Sequence, residues 1–254
     1  MFSVEENDLL TRTGRGTPCG ELMRRYWQPA ALSAELAADQ PLPVQLFGEE
    51  LILFRDGAGK PALIGRYCAH QGGDMIYGQI EPDGLRCMYH GWLFDNCGKV
   101  VLRGDWLPEK ERRWDVGHAA YRCIERGGVI FTYMTPGEPV ALPAYDFFSL
   151  PAENCAVSKV LHSKNYVQAI GEAADPALGL GRFILPNLTL FPNSSAGAQS
   201  VVRWCVPVDD QSYLEYRFQF PGGLPPANEP LTVAQEVLRR AIQAISAARH
   251  PPDQ

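Results

Sequence analysis

The 254-residue chain has no basic run longer than a pair, no internal repeat and no low-complexity tract. No apolar stretch approaches the roughly 18 residues that span a bilayer. Acids outnumber bases 29 to 23, a net charge of −6 at pH 7, which disfavours nucleic acid and anionic membrane surfaces as partners. The amino-terminal MFSVEENDLL is acidic and lacks the basic-then-apolar pattern of a secretory leader. Seven cysteines are an odd number for a disulfide frame. Without an export signal they read as reduced thiols or metal ligands, and the expected compartment is the cytoplasm. With 46% hydrophobic and 20% charged residues, the composition is globular and sufficient for one or two domains with their own core.

Thr17 as N-cap and Pro18 at the first helical position predict a short helix around Cys19 to Trp27. From about Pro43 to Met134 the pattern turns to short strands rich in β-branched and aromatic residues. Asp56-Gly57-Ala58-Gly59 predicts a hairpin between PVQLFGEELILFRD and KPALIGRY. GLRCMY, GKVVLRG and AYRCIERGGVIFTYM read as further strands. Beyond Thr135-Pro136-Gly137, LPNLTLF, VVRWCVPV and SYLEYRFQF look like antiparallel strands. Thr232 to about Ala248 predicts an amphipathic helix with Val237, Leu238, Ala241, Ile242 and Ile245 on one face.

The chemistry concentrates in CAHQGGDMIYGQIEPDGLRCMYHGW. Cys68 and His70 are separated by one residue, Cys87 and His90 by two, and sixteen residues lie between the pairs. Two thiolates and two imidazoles, split two and two, suit a [2Fe–2S] cluster with a sulfur-bound and a nitrogen-bound iron. Neutral imidazoles oppose an added electron less than thiolate anions do. Such clusters accordingly lie at roughly −150 to +300 mV, against about −400 mV for all-thiolate ones. A gap of about 250 mV is roughly 6 kcal/mol for one electron. A zinc knuckle is the competing reading, although its ligands usually come as Cys-Cys and His-His. Cys19, Cys97, Cys123, Cys155 and Cys205 show no pairing pattern and are expected to be small buried hydrophobes. His118, His162 and His250 are expected to be surface or hydrogen-bonded histidines, a triad of His118, His162 and Asp175 being the alternative.

These stretches resemble the Rieske non-haem iron oxygenases, above all oxygenase components similar to phthalate 4,5-dioxygenase. The resemblance rests on LLTRTGRGTPCGELMRRYWQPA, on the cluster motif with YHGW and on GGVIFTYM, and more weakly on NYVQAIGEAAD and WCVPVDD. Rieske proteins of respiratory complexes carry an extra cysteine pair where this chain has Gly73 and Tyr89, so the oxygenase or ferredoxin branch is implied. The implied fold is α+β. A helical arm (1–40) precedes a mostly-β Rieske [2Fe–2S] domain (41–135) and a shortened helix-over-antiparallel-sheet, helix-grip-like domain (136–254). The resemblance makes Cys68, His70, Cys87 and His90 the cluster ligands.

It also implies a mononuclear Fe(II), held in the family by N-x-x-Q…D-x-x-H-x-x-x-x-H and a later carboxylate. Asn165, Gln168, Glu172 and Asp175 match its front, but Leu178 and Phe183 stand where the histidines belong. An internal deletion is the simplest account. In the family the aspartate matching Asp175 relays electrons between subunits. The implied function is a Rieske-type oxidoreductase of aromatic hydrocarbon catabolism, with dioxygenase or monooxygenase chemistry on an aromatic acid. It would take single electrons from a ferredoxin or flavin-dependent reductase and form a homo-oligomer, a trimer by analogy. The alternative is a catalytically incomplete electron-transfer or accessory subunit that assembles with an intact oxygenase subunit.

Overall fold

A computed structural model of the chain describes residues 3–102, 117–173, 182–184, 186–191 and 199–221. Helix α1 (Val4–Thr11) starts at a capping box. The Ser3 hydroxyl accepts from the Glu6 amide, and the Glu6 carboxylate accepts from the Ser3 amide. Thr17 caps α2 (Pro18–Arg24), as its sequence predicts. This helix stops at Arg24 rather than at Trp27. Pro29 disfavours helical backbone at Gln28, and Gln28–Leu32 becomes strand β1.

β1 thus leaves the segment expected as a helical arm and forms one edge of a six-stranded sheet. The order is β1, β10 (Val129–Tyr133), β9 (Ala120–Arg126), β4 (Pro61–Gly65), β3 (Glu49–Arg55) and β2 (Leu42–Leu46). The hairpin expected at Asp56–Gly59 joins β3 to β4. Gly127 and Gly128, at φ 58° and 76°, turn β9 into β10 with the backbone twist that a two-residue hairpin needs. A four-stranded sheet follows, β5 (Gln79–Glu81), β6 (Gly84–Arg86), β7 (Leu93–Phe94) and β8 (Val100–Leu102). The third sheet runs β11 (Ala156–His162), β15 (Tyr213–Pro221), β14 (Gln199–Pro207), β13 (Leu188–Phe191) and β12 (Arg182–Ile184). Helix α3 (Tyr166–Ala173) follows β11. The helix expected at Thr232–Ala248 lies outside the described residues.

The six-stranded sheet is the middle layer, because alternate residues of a strand face opposite sides. Ile52, Phe54, Ala62 and Ile64 pack with Met75, Leu85, Trp92 and Phe94 beneath the two cysteine loops. Leu51, Leu53, Leu63 and Phe131 face the other way, into a larger core with Trp204, Tyr216 and Phe218. The Phe131 and Trp204 rings lie 5.2 Å apart.

Beside this core a polar clasp joins the sheets. The Asp210 carboxylate accepts from the buried Thr13 amide at 2.8 Å, and Asn165 Nδ2 donates to the Asp210 carbonyl at 2.7 Å and to Thr11 at 2.9 Å. The Phe47 and Gly48 amides donate to the Pro207 and Val208 carbonyls. Arg24, almost wholly buried, ties the Thr13 and Phe47 carbonyls to the Glu49 carboxylate. The Arg24, Arg15 and Tyr121 side chains all donate to Glu49 and hold its carboxyl below the usual range against the cost of burial.

Candidate iron–sulfur centre

Two loops of matching backbone geometry carry the four predicted ligands. The Cys68 amide donates to the Gly73 carbonyl, and the Gly72 amide returns a bond to the Cys68 carbonyl, both at 2.8 Å. The second loop repeats this, with Cys87 donating to Trp92 at 2.8 Å and Gly91 donating to Cys87 at 2.9 Å. In each loop the residue four beyond the cysteine is a glycine at φ 71°, a left-handed conformation that suits a residue without Cβ. The sequence spacing differs because histidine occupies the second position after Cys68 and the third after Cys87. Gly73 allows the loops to touch. A Cβ there would lie 3.0 Å from Cys87 Sγ and 3.1 Å from Tyr89 Cβ.

The turns aim backbone amides at both sulfurs. Those of His70 and Gln71 point at Cys68, and those of Tyr89 and His90 at Cys87. The thiols are buried and hydrogen-bonded to each other. Donation by Cys68 lowers the Cys87 thiol below the usual range, while the same bond and burial push Cys68 up. The imidazoles of His70 and His90 are half-buried, with ring centroids 4.8 Å apart at 70°. Trp92, fully buried, stacks flat on His70 at 4.6 Å and 6°, and the exposed Tyr89 ring lies 4.2 Å from His90.

The side chains therefore form a sulfur pair inside and a nitrogen pair toward the surface. Among the described residues no group of three or more His, Cys, Asp or Glu is placed to hold a single ion. Two donors of each kind, with amides directed at the sulfurs, fit a [2Fe–2S] group, whose irons each need two protein ligands and whose sulfurs accept hydrogen bonds. Salt bridges brace the loops. Arg66 forks onto Asp74, and Arg86 onto Glu81. Sequence reasoning missed these pairs and the stacking role of Trp92. An arginine one or two residues before each cysteine was the available signal.

The other histidines stay apart. His118 is half-buried, its ring 4.7 Å from Phe94, and burial lowers its pKa to about 4. Of the two expected environments, solvated or hydrogen-bonded, it has the second, a hydrogen bond with the Gly65 backbone. His162 stacks on Tyr213 at 4.7 Å, with Nε2 3.9 Å from the buried Glu215. The Glu215 carboxylate is itself held by Arg203 and Arg217. Of the two iron-histidine positions, Phe183 lies in β12 opposite Thr189. Leu178, Asp175 and His250 lie outside the described residues. Leucine and phenylalanine offer no lone pair, so these two positions do not fit a mononuclear iron. Among the remaining cysteines Cys19 and Cys205 are buried as expected, whereas Cys123 and Cys155 are half-buried. Cys97 is exposed, because it sits in the tight turn between β7 and β8.

Comparison with known proteins agrees with this geometry. Residues 26–106 match the family model of the Rieske [2Fe-2S] domain. The chain is 41% identical over 152 residues to the 5,5'-dehydrodivanillate O-demethylase oxygenase subunit of Sphingobium sp., covering 59% of this chain and 36% of that protein. It is 34% identical over 220 residues to the phthalate 4,5-dioxygenase oxygenase subunit of Pseudomonas putida, covering 84% and 48%. The chain thus spans about a third to a half of the length of such relatives. Among solved structures, apo dicamba monooxygenase superposes with a TM-score of 0.67 at 17% identity, covering 90% of this chain and 99% of that one. The reduced oxygenase–ferredoxin complex of carbazole 1,9a-dioxygenase gives 0.66 at 16% identity, covering 95% and 80%. Residues 26–106 are a Rieske [2Fe–2S] domain, and the chain is a relative of the oxygenase subunits of the Rieske non-haem iron oxygenases.

Proposed function

We propose that the chain is a one-electron carrier whose cluster is held by Cys68 and Cys87 on one iron and by His70 and His90 on the other. The observation that carries this reading is the meeting of two like-folded loops that bury the sulfur pair and leave the nitrogen pair half-exposed. When bound, the cluster supplies a site that stores and releases one electron. The chain's own residues set its terms. Cys68 and Cys87 give up their protons, and four backbone amides offset the added negative charge. Trp92 and the core beneath it exclude water from the sulfur side. His70 and His90 form the edge nearest solvent, so a ferredoxin or flavin-dependent reductase would dock there.

In the relatives such electrons serve oxygenase subunits, and the chain is proposed to act in the same aromatic-acid oxidation. It would do so as a partner within an oligomer, a trimer or an assembly with an intact oxygenase subunit. Leu178 and Phe183 favour this accessory reading over self-sufficient hydroxylation. The test is anaerobic purification followed by iron and acid-labile sulfide assay. Two irons and two sulfides per chain without oxygen-dependent product support the carrier. A third iron with turnover of an aromatic acid replaces it with a complete oxygenase. One zinc per chain without sulfide overturns both.

A further inference from the structure

The two loops agree in backbone but not in their supports. Arg86 immediately precedes Cys87, and its Nη1 donates to the Gly91 carbonyl at 2.8 Å. Its Nε and Nη2 grip the Glu81 carboxylate, the Nη2–Oε2 distance being 2.8 Å. Gly91 follows His90 directly and returns its amide to the Cys87 carbonyl. One guanidinium thus spans from the strand before the loop to the turn that carries its histidine. In the first loop Arg66 forks instead onto Asp74, just past the turn.

We propose that Arg86, steadied by Glu81, is the positioning residue of the second loop: it fixes the Gly91 carbonyl and thereby the orientation of the His90 imidazole. This rests on reading His90 as a cluster ligand. The effect is geometric rather than one of charge, because the Glu81 carboxylate neutralises the guanidinium at contact. Only a planar fork can hold two carboxylate oxygens and a carbonyl together. A lysine keeps the charge but not that geometry.

The test compares loaded wild type with Arg86→Lys, Arg86→Gln and Glu81→Gln. It follows iron loss to a chelator, the midpoint potential and the electron paramagnetic resonance signal of the reduced protein. Both Arg86 variants are expected to lose iron on the order of 10–100-fold faster, as outer-shell partners of metal ligands generally do. Lysine should rescue no better than glutamine, and the resonance signal should broaden in both. Glu81→Gln, which loosens the fork but keeps Arg86, should lie between them and wild type. If lysine restores wild-type behaviour while glutamine only lowers the potential, charge is the cause and the proposal falls. Wild-type retention in all variants also overturns it. Should the Arg86 variants not fold, Glu81→Gln decides alone, unchanged retention counting against the proposal. A wild type without iron and sulfide removes the cluster reading itself, an outcome distinct from loaded but indifferent variants.

Discussion

Replacing Asp210 by alanine should loosen the joint between the α1–α2 loop and the turn joining β14 to β15. Asp210 Oδ1 accepts from the Thr13 amide at 2.8 Å, and Thr13 is fully buried. The lost bond has a charged acceptor, worth about 1.5–3 kcal/mol. Asp210 itself is exposed, so water can reach the freed amide and the lower part of that range, about 1.5–2 kcal/mol, applies. The Asn165 bond to the Asp210 carbonyl involves backbone and survives, as do the Phe47 and Gly48 bonds to Pro207 and Val208. For a chain of this size 1 kcal/mol moves the melting temperature by about 2–4 °C, so Asp210→Ala should melt about 3–8 °C below wild type. Asp210→Asn retains an acceptor at Oδ1 and should recover most of the loss. Thermal unfolding of cluster-loaded protein, followed by visible absorbance and by tryptophan fluorescence, reads both quantities. A fall under 1 °C in Asp210→Ala would refute the clasp, and a fall in Asp210→Asn as large as in alanine would show that the acceptor is not what matters.

Three further outcomes are expected. His90→Cys should retain some cluster but lower its midpoint potential by about 100 mV or more, since an anion replaces a neutral ligand; protein-film voltammetry showing no change would remove His90 from the ligand set. The double variant Gly73→Cys/Tyr89→Cys should form a disulfide under mild oxidation, because a Cβ at 73 would lie 3.1 Å from the Cβ of Tyr89, and the loops need to part by only a few tenths of an ångström to reach the roughly 3.5–4.5 Å of bridged cysteines; thiol titration detects it. His118 has its pKa depressed from 6.5 to about 4 by burial, so the fold favours its neutral form. Its contribution is complete above about pH 6.5 and is lost as pH falls toward 4. His118→Gln should flatten that limb of a plot of denaturation midpoint against pH, and an unchanged slope would place the acid sensitivity elsewhere.

The proposed ligand set could be named from the residues because the constraint on it is chemical. Two thiolates and two imidazoles at short spacing have few alternative uses, and the glycines beside them announce tight turns. Strand identities were legible for a similar reason, since alternation and β-branching are local properties. Helix α2 ends at Arg24, short of Trp27, because Pro29 restricts the backbone of the residue before it and the chain turns to strand at Gln28. The surroundings of His118 and the exposure of Cys97 do not show in the sequence because burial is not local. His118 is enclosed by Phe94 and the Gly65 backbone from other strands, and Cys97 sits at the tip of a turn.

Residue types and spacings alone therefore pointed to the atoms proposed to hold the irons, and showed that Leu178 and Phe183 offer no ligand for another. Only the folded chain decided that the two loops touch at Gly73, that sulfur lies inward and nitrogen outward, and that Arg86 reaches Gly91. The contact at Gly73 joins two loops well separated in the chain, whereas Arg86 reaches Gly91 within one loop, by the way that loop folds back on its strand. Chain-distant hydrogen bonds such as Thr13 to Asp210 leave no periodic trace in the sequence, because each partner is an ordinary polar residue until the sheets bring them within 3 Å.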